Sequence, residues 1–153
     1  MAIDKVKEYF KPFNMEDEII ELDKSSATVA LAAEALGCMT NEIAKSLAFI
    51  VNEVPILVLT SGDVKIDNSK FKNTFETRAR MIKPDEVEKL IGHDIGGVCP
   101  FGINDNVKVY LDESLKKLKY AYPACGSSNS AIKLTVDQLE KFSSYQKWVD
   151  VSK

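Results

Sequence analysis

A lysine beside an apolar strand is the first feature of this sequence that points to chemistry. Lys45 stands just before the apolar run Leu47-Ala48-Phe49-Ile50, where a helical turn is predicted to lead into a buried strand. A lysine at the mouth of a buried strand is partly desolvated, and its ammonium can hold a phosphate or carbonyl oxygen. The alternative, which spacing alone favours, is a solvated lysine stabilised by the negative end of a helix dipole.

Two segments of small residues are the second feature. Gly96, Gly97 and Gly102, with Pro100 between them, predict a tight loop whose backbone can approach a ligand and offer N–H groups to a carbonyl oxygen or an anion. A purely structural loop explains the glycines equally well. The segment 123–131 is also predicted to line a pocket or to form a turn. Together with Lys45, these segments indicate a pocket.

Several standard sites are excluded. Cys99 and His93 lie close in sequence and could pair as nucleophile and base, but an inert cysteine beside a histidine is favoured because sequence proximity is not hydrogen-bond geometry. Cys38, Cys99 and Cys125 form no CxxC pair, and His93 is the only histidine. A zinc ribbon, a thioredoxin-type pair and a His-rich zinc site are therefore excluded, and free thiols are predicted. No phosphate-binding loop, dinucleotide fingerprint or GxSxG elbow occurs, so no metal or organic cofactor is expected.

Composition indicates an ordinary globular domain. The chain has 153 residues, of which 45% are hydrophobic and 28% charged, with a net charge of −3. These values predict one domain over residues 1–153 and exclude nucleic-acid binding through bulk charge alone. No apolar run is long enough to span a bilayer, and the N-terminus lacks the basic segment followed by an apolar segment that is typical of a signal peptide. We therefore expect a cytoplasmic protein that does not associate with membranes.

Hydrophobic periodicity and capping residues predict the elements that must position these groups. Helices or helical turns are predicted over residues 3–10, 25–37, 40–44, 67–77, 84–91, 112–118 and from a capping box at 135–138. Strands are predicted over residues 18–22, 46–51, 55–60, 79–82, 107–111 and 131–134. Because the two kinds of element mix irregularly, the predicted fold is α/β of the mixed α+β type: a single domain with a mixed, mostly antiparallel sheet flanked by helices.

Taken in order, four segments resemble the YbaK/prolyl-tRNA-editing domain family. The similarity covers about residues 15 to 145, and the loop 96–102 looks like the family's Gly-x-x-x-Pro-x-Gly signature. The other matching segments are residues 28–37, residues 43–47 and the glycine-containing loop with its following strand, residues 126–134. The family fold, a mixed sheet surrounded by helices, agrees with the elements predicted above.

The resemblance implies a free-standing deacylase that hydrolyses the ester of mischarged tRNA, chiefly tRNA(Pro) carrying a small wrong amino acid such as Cys, Ala, Ser or Thr. Lys45 falls on the family's functional lysine, which positions the 3′-terminal adenosine and its ester. Gly96 and Gly97 fall on loop glycines that face the aminoacyl carbonyl. The family uses no protein nucleophile, and a water or a substrate group attacks instead. The predicted catalytic residues are thus Lys45 and Gly96, and the predicted substrate-binding residues are Thr28, Ser46, Gly97, Pro100, Gly102, Gly126, Ser130 and Ala131.

Specificity is not assigned by the resemblance. The cysteine-clearing branch carries an acidic residue where this chain has Ala131, and the alanine-clearing branch carries Asn where this chain has Ser46. A hydroxyl-lined pocket would suit serine or threonine. Two alternatives stay open: a non-catalytic module that binds aminoacyl-tRNA or a synthetase and regulates translation, and a deacylase for another small aminoacyl ester.

The implied partners are the acceptor end of tRNA(Pro) and prolyl-tRNA synthetase. Residues 65–83 carry six cations against two carboxylates, a net charge of +4, and Lys116, Lys117 and Lys119 form a second basic cluster. Either cluster could meet acceptor-stem phosphates, with binding that weakens as salt rises. Solvated faces of an acidic protein are the alternative for both.

Overall fold

A computed structural model describes residues 2–153, which fold around one six-stranded mixed sheet. The helices are α1 (Ala2–Phe10), α2 (Val29–Leu36), α3 (Asn68–Phe75), α4 (Val87–Ile91) and α5 (Val136–Ser143). The strands are β1 (Ile20–Glu21), β2 (Ile43–Val51), β3 (Val54–Ser61), β4 (Lys108–Asp112), β5 (Tyr120–Pro123), β6 (Ser130–Ala131), β7 (Leu134–Thr135) and β8 (Lys147–Val149). The strand order is β7-β5-β2-β3-β4-β8, and β1 pairs with β6 in a separate two-stranded ribbon.

The hairpin of β2 and β3 forms the centre of the sheet. Its register runs from Ala44 opposite Ser61 to Val51 opposite Val54. The connecting residues Asn52 and Glu53 both adopt positive φ, 50° and 69°, the conformation of a tight two-residue hairpin turn. Both strands carry long apolar runs, because a central strand buried on both faces needs apolar side chains on each.

The remaining pairings confirm the predicted mixed sheet. Strand β5 pairs in parallel with β2, β4 in parallel with β3, and β8 in parallel with β4. Strand β7 pairs antiparallel with β5. Three of the five pairings in this sheet are therefore parallel, which corrects the prediction that most would be antiparallel; the antiparallel pairings are β2–β3 and β5–β7.

Local sequence chemistry sets the ends of two helices, α2 and α5. The Thr28 side chain accepts a hydrogen bond from the Leu31 N–H, and Gly37 closes α2 with a φ of 69°. Thr135 and Gln138 form a reciprocal capping box at the start of α5. Such bonds satisfy the main-chain groups that a helix end leaves unpaired, so these boundaries follow from nearby residues alone.

Helix α1 packs behind the loops of the small-residue segments. Phe10 is fully buried and its ring lies 4.7 Å, between centroids, from the ring of Phe101. The Lys5 ammonium donates to the Gly92 carbonyl at 3.4 Å. A side chain at Gly126 would lie 2.8 Å from the main chain of Ala2. The N-terminal helix thus backs both the loop after α4 and the loop after β5.

Four predicted elements differ from the structure. The helical turn predicted over 40–44 ends at Glu42, because the next two residues, Ile43 and Ala44, pair with β5. The strand predicted over 79–82 contributes one bridge, from Met81 to Phe49. The helix predicted over 112–118 is one 3₁₀ turn, Glu113–Leu115, and the strand predicted over 131–134 is divided between β6 and β7. Strands β5 and β8 were not predicted.

Candidate functional site

A pocket of about 410 Å³ opens where β2 begins. Its wall is formed by one face of α2 with the residues just before it, the first half of β2, Met81, the loop after α4, and the segment from β5 to β6. Most of its lining is apolar. The lining residues are Ser26, Ala27, Thr28, Val29, Ala32, Leu36, Ile43, Ala44, Lys45, Ser46, Leu47, Met81, Ile95, Gly96, Val98, Tyr122, Ala124, Ser130 and Ala131. An apolar cavity with a few polar groups is the usual form of a small-ligand site.

Lys45 lies inside β2 and not at a helix end, which corrects both placements considered from the sequence. Its half-buried side chain lines the pocket, and its ammonium donates to the Val64 carbonyl at 2.5 Å. Burial lowers the pKa of Lys45, the charge of Asp63 opposes that shift, and the charge of Lys65 adds to it. One hydrogen bond leaves two of the three ammonium donors for a ligand.

Besides the phenol of Tyr122, the pocket contains four hydroxyl side chains, and three of these four have partners. Thr28 caps α2, Ser26 donates to the Ser128 carbonyl at 3.0 Å, and Ser130 accepts from Ser127 at 2.6 Å. The Ser46 hydroxyl is buried and has no hydrogen-bond partner within residues 2–153. Buried hydroxyls are normally bonded, so the unpartnered Ser46 hydroxyl is available for a ligand.

Of the glycines predicted for the two loops, Gly96 lines the pocket and the others pack behind it. Gly96 lines the pocket with a φ of 93°. Gly97 lies behind it: its N–H donates to the Asp94 carbonyl and its carbonyl accepts from the Gly126 N–H, at 3.1 and 3.0 Å. A side chain at Gly97 would lie 2.5 Å from the main chain of Gly126 and Ser127. The two loops are therefore in main-chain contact.

Pro100, Gly102 and Gly126 also lie outside the pocket lining. Pro100 is buried. Gly102 and Gly126 have positive φ, and a side chain on either would meet the main chain of α1. Their contact with a substrate, like that of Gly97, stays a prediction, whereas their place in the structure is the packing of the two loops on α1.

The wall beside Ala131 is held by the segment that precedes α2. Ala131 pairs with Ile20, and the Leu22 N–H donates to the Asn129 carbonyl at 2.7 Å. The Ser26 N–H donates to the Ser128 carbonyl. Main-chain bonds thus tie residues 20–26 to the loop before β6, and this places Thr28 and Ser130 in the same wall.

Cys99 and His93 form no nucleophile–base pair. The thiol of Cys99 lies 3.6 Å from the Phe101 carbonyl and the Nε2 atom of His93 lies 2.5 Å from the same oxygen. Burial raises the pKa of Cys99 to about 12 and lowers the pKa of His93. Neither residue lines the pocket. A thiol that stays protonated at neutral pH is a poor nucleophile, so the inert interpretation agrees with the geometry.

The three cysteines are free, and we expect thiol reagents to distinguish them. Cys38 is half-buried, with a pKa raised by burial and by the charge of Glu42, whereas burial places the pKa of Cys125, like that of Cys99, well above its ordinary value. At pH 8 a colorimetric disulfide reagent should titrate one thiol in the native protein, slowly, and three in denaturant. Rapid native labelling of two or three thiols would contradict this burial.

Three of the pocket residues that the sequence did not lead us to name are Tyr122, Met81 and Ile95. Tyr122 belongs to the unpredicted strand β5, and Met81 and Ile95 lie on connecting segments. Met81 and Ile95 are 59% and 60% exposed although both are large and apolar. A large apolar residue inside a charged or polar segment was the available signal, since such side chains mark binding surfaces when they cluster.

The first predicted basic cluster reaches the pocket at Met81. Arg80 and Lys83 flank this residue and are exposed. Lys70 instead pairs with Asp150 at 3.2 Å. In the second cluster Lys116 pairs with Glu113, also at 3.2 Å, and lies over the Trp148 ring. Arg80 and Lys83 therefore stand next to a residue of the pocket wall, and Lys65 is near enough for its charge to lower the pKa of Lys45.

Within residues 2–153 no helix combines the length and the apolar character that crossing a bilayer requires.

Comparison with known proteins identifies relatives of the region that forms the pocket. The sequence model of the aminoacyl-tRNA editing domain matches residues 23–142. The uncharacterized protein YwhH of Bacillus subtilis is 47% identical over 154 aligned positions, covering 100% of this chain and 98% of that protein. The proline–tRNA ligase of Listeria welshimeri is 28% identical over 116 positions, covering 70% of this chain but only 20% of the ligase.

A solved structure shares the whole fold. The crystal structure of a protein proposed to be a trans-editing enzyme for prolyl tRNA synthetase superposes with a TM-score of 0.89 and 29% identity. The superposition covers 99% of this chain and 97% of that chain. The pocket described above therefore lies on a scaffold present in its entirety in another protein.

Proposed function

The chain belongs to the aminoacyl-tRNA editing domain family, and on that premise we propose that it is a deacylase that hydrolyses the ester between tRNA and a wrong amino acid. The observation that carries the proposal is the meeting of Lys45, Ser46 and Gly96 in one pocket that contains no nucleophile–base pair. The likeness to part of a proline–tRNA ligase supports tRNA(Pro) as the substrate body, and the match to a protein proposed to act in trans supports a free-standing enzyme.

The pocket favours catalysis by positioning and electrostatics. Its lining offers a cation at Lys45 and bare main chain at Gly96, which suit an ester carbonyl that gains negative charge as it is attacked. Neither group can act as the attacking nucleophile while Lys45 is charged, because an ammonium carries no free lone pair and Gly96 has no side chain. A water or a substrate hydroxyl attacks the carbonyl carbon, and the tRNA 3′-terminal oxygen leaves with a proton.

The size and polarity of the pocket support a small aminoacyl group. The volume of about 410 Å³ must hold both the acyl group and the sugar that carries it. Ser46, Thr28 and Ser130 are the hydroxyl residues we assign to substrate binding, with Ala131 on the same wall. Packing differences between similar side chains are worth only about 1–3 kcal/mol, so more than one of Ala, Ser, Thr and Cys is expected to be accepted.

Deacylation of labelled tRNA(Pro) carrying Pro, Ala, Cys, Ser or Thr tests the proposal. We expect release of one or more of the four wrong amino acids and sparing of prolyl-tRNA. The same amino acids on a different tRNA body separate a tRNA(Pro) enzyme from a general deacylase. Binding of all five substrates without release of any would overturn the enzyme and leave a module that binds aminoacyl-tRNA.

The lowered pKa of Lys45 predicts how activity depends on alkaline pH. Lys45 is charged below its pKa, and burial moves that pKa below its ordinary value. Once spontaneous ester hydrolysis is subtracted, kcat/KM should fall as pH rises through the lowered pKa, because the ammonium is lost. In Lys45→Arg the guanidinium stays charged, so whatever activity remains should lack this alkaline decrease. Identical alkaline profiles for the two proteins would contradict the role of the Lys45 charge.

A further inference from the structure

One edge of β2 is unpaired in the wall of the pocket. On this edge β5 pairs only with Ile43 and Ala44, and the bridge from Met81 reaches only Phe49. Strand β5 leaves β2 because the next residue, Ala124, pairs with Ala131 instead. Within residues 2–153 no strand stands opposite residues 45–47 on this side, which leaves a gap in the sheet.

The main chain of Ser46 points into that gap. The Ile50 N–H donates to the Arg80 carbonyl and the Ala48 carbonyl accepts from the Ile82 N–H, both at 3.0 Å. Successive residues of a strand direct their main-chain groups to opposite edges. Since residues 48 and 50 face this edge, residue 46 faces it too, whereas its neighbours Lys45 and Leu47 face β3.

Two independent features make Ser46 unusual. Main-chain groups without a strand partner normally bond to something else when they lie away from bulk solvent, and Ser46 lines the pocket. The Ser46 hydroxyl is buried and has no partner in the described residues. Ser46 therefore presents an N–H, a carbonyl and a hydroxyl to whatever occupies the pocket.

We propose that the aminoacyl group of the substrate fills the gap as a single residue of a missing strand. Its α-amino group donates to the Ser46 carbonyl, and the Ser46 N–H donates to its acyl carbonyl oxygen. This inference rests on the proposed function. An α-aminoacyl ester carries one donor and one acceptor in the same order as a peptide residue, which is the arrangement that strand addition recognises. A carbonyl oxygen has two lone pairs, so the Lys45 ammonium shares it.

The pairing also places the substrate side chain. Residues opposed in a pair of strands direct their side chains to the same face. Ala44 and Ala48 pack into the main core and Leu47 packs on the other face, so alternation puts the Ser46 side chain on the alanine face. The substrate side chain thus lies beside the Ser46 hydroxyl. Ser46 is therefore the residue that distinguishes substrates with small polar side chains from those with small apolar ones.

Binding of two uncleavable ligands tests the hydrogen bond that the Ser46 carbonyl accepts from the α-amino group of the substrate. The probes are 3′-amino-3′-deoxyadenosine carrying an alanyl or a lactyl group through an amide, which differ only in the α-amino group. We expect the lactyl probe to bind at least about tenfold more weakly in calorimetry, since it replaces a charge-assisted hydrogen bond. Equal affinities would overturn the contact with the Ser46 carbonyl.

Replacement of one main-chain atom tests the hydrogen bond that the Ser46 N–H donates to the acyl carbonyl oxygen. In one protein, lactic acid replaces Ser46, so that a main-chain ester oxygen stands where the N–H was. Ser46→Ala is the matched control, because it has the same methyl side chain and keeps the N–H. With the wrong aminoacyl-tRNA(Pro) that the wild-type protein clears fastest, kcat/KM should fall at least about tenfold from the control to the ester protein at similar melting temperature. Equal rates would overturn the inference and leave the deacylase intact, whereas a wild-type protein that clears none of the four wrong amino acids would overturn the proposed function instead.

Discussion

Replacement of Lys45 by alanine is expected to lower kcat/KM for deacylation of mischarged tRNA by about 100- to 1,000-fold. That range is typical for the loss of one charge-stabilising donor from a preorganised site. Among residues 2–153, Lys45 supplies the only ammonium of the pocket lining, and burial makes its charge more effective than it would be in water. The measurement is single-turnover hydrolysis on the wrong aminoacyl-tRNA that the wild-type protein clears fastest.

The fold should be nearly unaffected by that substitution. Lys45→Ala removes one hydrogen bond, to the Val64 carbonyl, from a half-buried side chain, so the melting temperature should change by no more than about 4 °C. Lys89→Ala is the matched control, because Lys89 is exposed on α4 and does not line the pocket. If both variants keep wild-type rates, or if Lys45→Ala fails to fold, Lys45 has no catalytic role.

Gly97→Ala is expected to give the largest loss of stability among the glycine substitutions in the site loops. An added methyl group would lie 2.5 Å from the carbonyl carbon of Gly126 and from the amide nitrogen of Ser127, and backbone atoms do not move aside as the end of a flexible side chain does. The two loops must separate, which breaks the bond between the Gly126 N–H and the Gly97 carbonyl. We expect a cost of about 3 kcal/mol and a melting temperature lower by about 6–12 °C.

Gly37→Ala separates this steric effect from the cost of backbone conformation. Gly37 has a φ of 69°, and nothing lies within 4 Å of the added methyl group, so only the left-handed conformation is penalised, by about 1–2 kcal/mol. Differential scanning calorimetry of the two variants gives the comparison. A Gly97→Ala protein as stable as Gly37→Ala would mean that the two loops are not packed as described.

The features that could be predicted from the sequence depend on nearby residues. The caps of α2 and α5 involve residues three positions apart, and the β2–β3 hairpin needs two apolar runs and a two-residue turn. The ordered segments were enough to predict the editing-domain family and a mixed sheet, and both predictions are confirmed. The pocket contains six of the ten predicted site residues: Thr28, Lys45, Ser46, Gly96, Ser130 and Ala131. Their roles stay predictions.

The features that were missed depend on distant partners. Strand β5 has four residues and ends in Pro123, and β8 has three; such short segments become strands because a neighbouring strand lies beside them. Lys45 was placed at a helix end because nothing local reveals that Ile43 and Ala44 pair with β5. The gap beside Ser46 exists only because Ala124 turns toward Ala131, a choice made between segments far apart in the sequence.

The position of α1 limits how this domain can be transplanted. The family match begins at residue 23, yet the loops after α4 and β5 rest on Ala2 and Lys5. A graft of residues 23–142 into another protein would carry Lys45, Ser46 and Gly96 and leave behind the surface against which the two loops are pressed. The recipient would have to supply an equivalent helix, or the grafted loops would open more readily than they do here. The unit that can be moved intact is therefore larger than the region recognised by similarity.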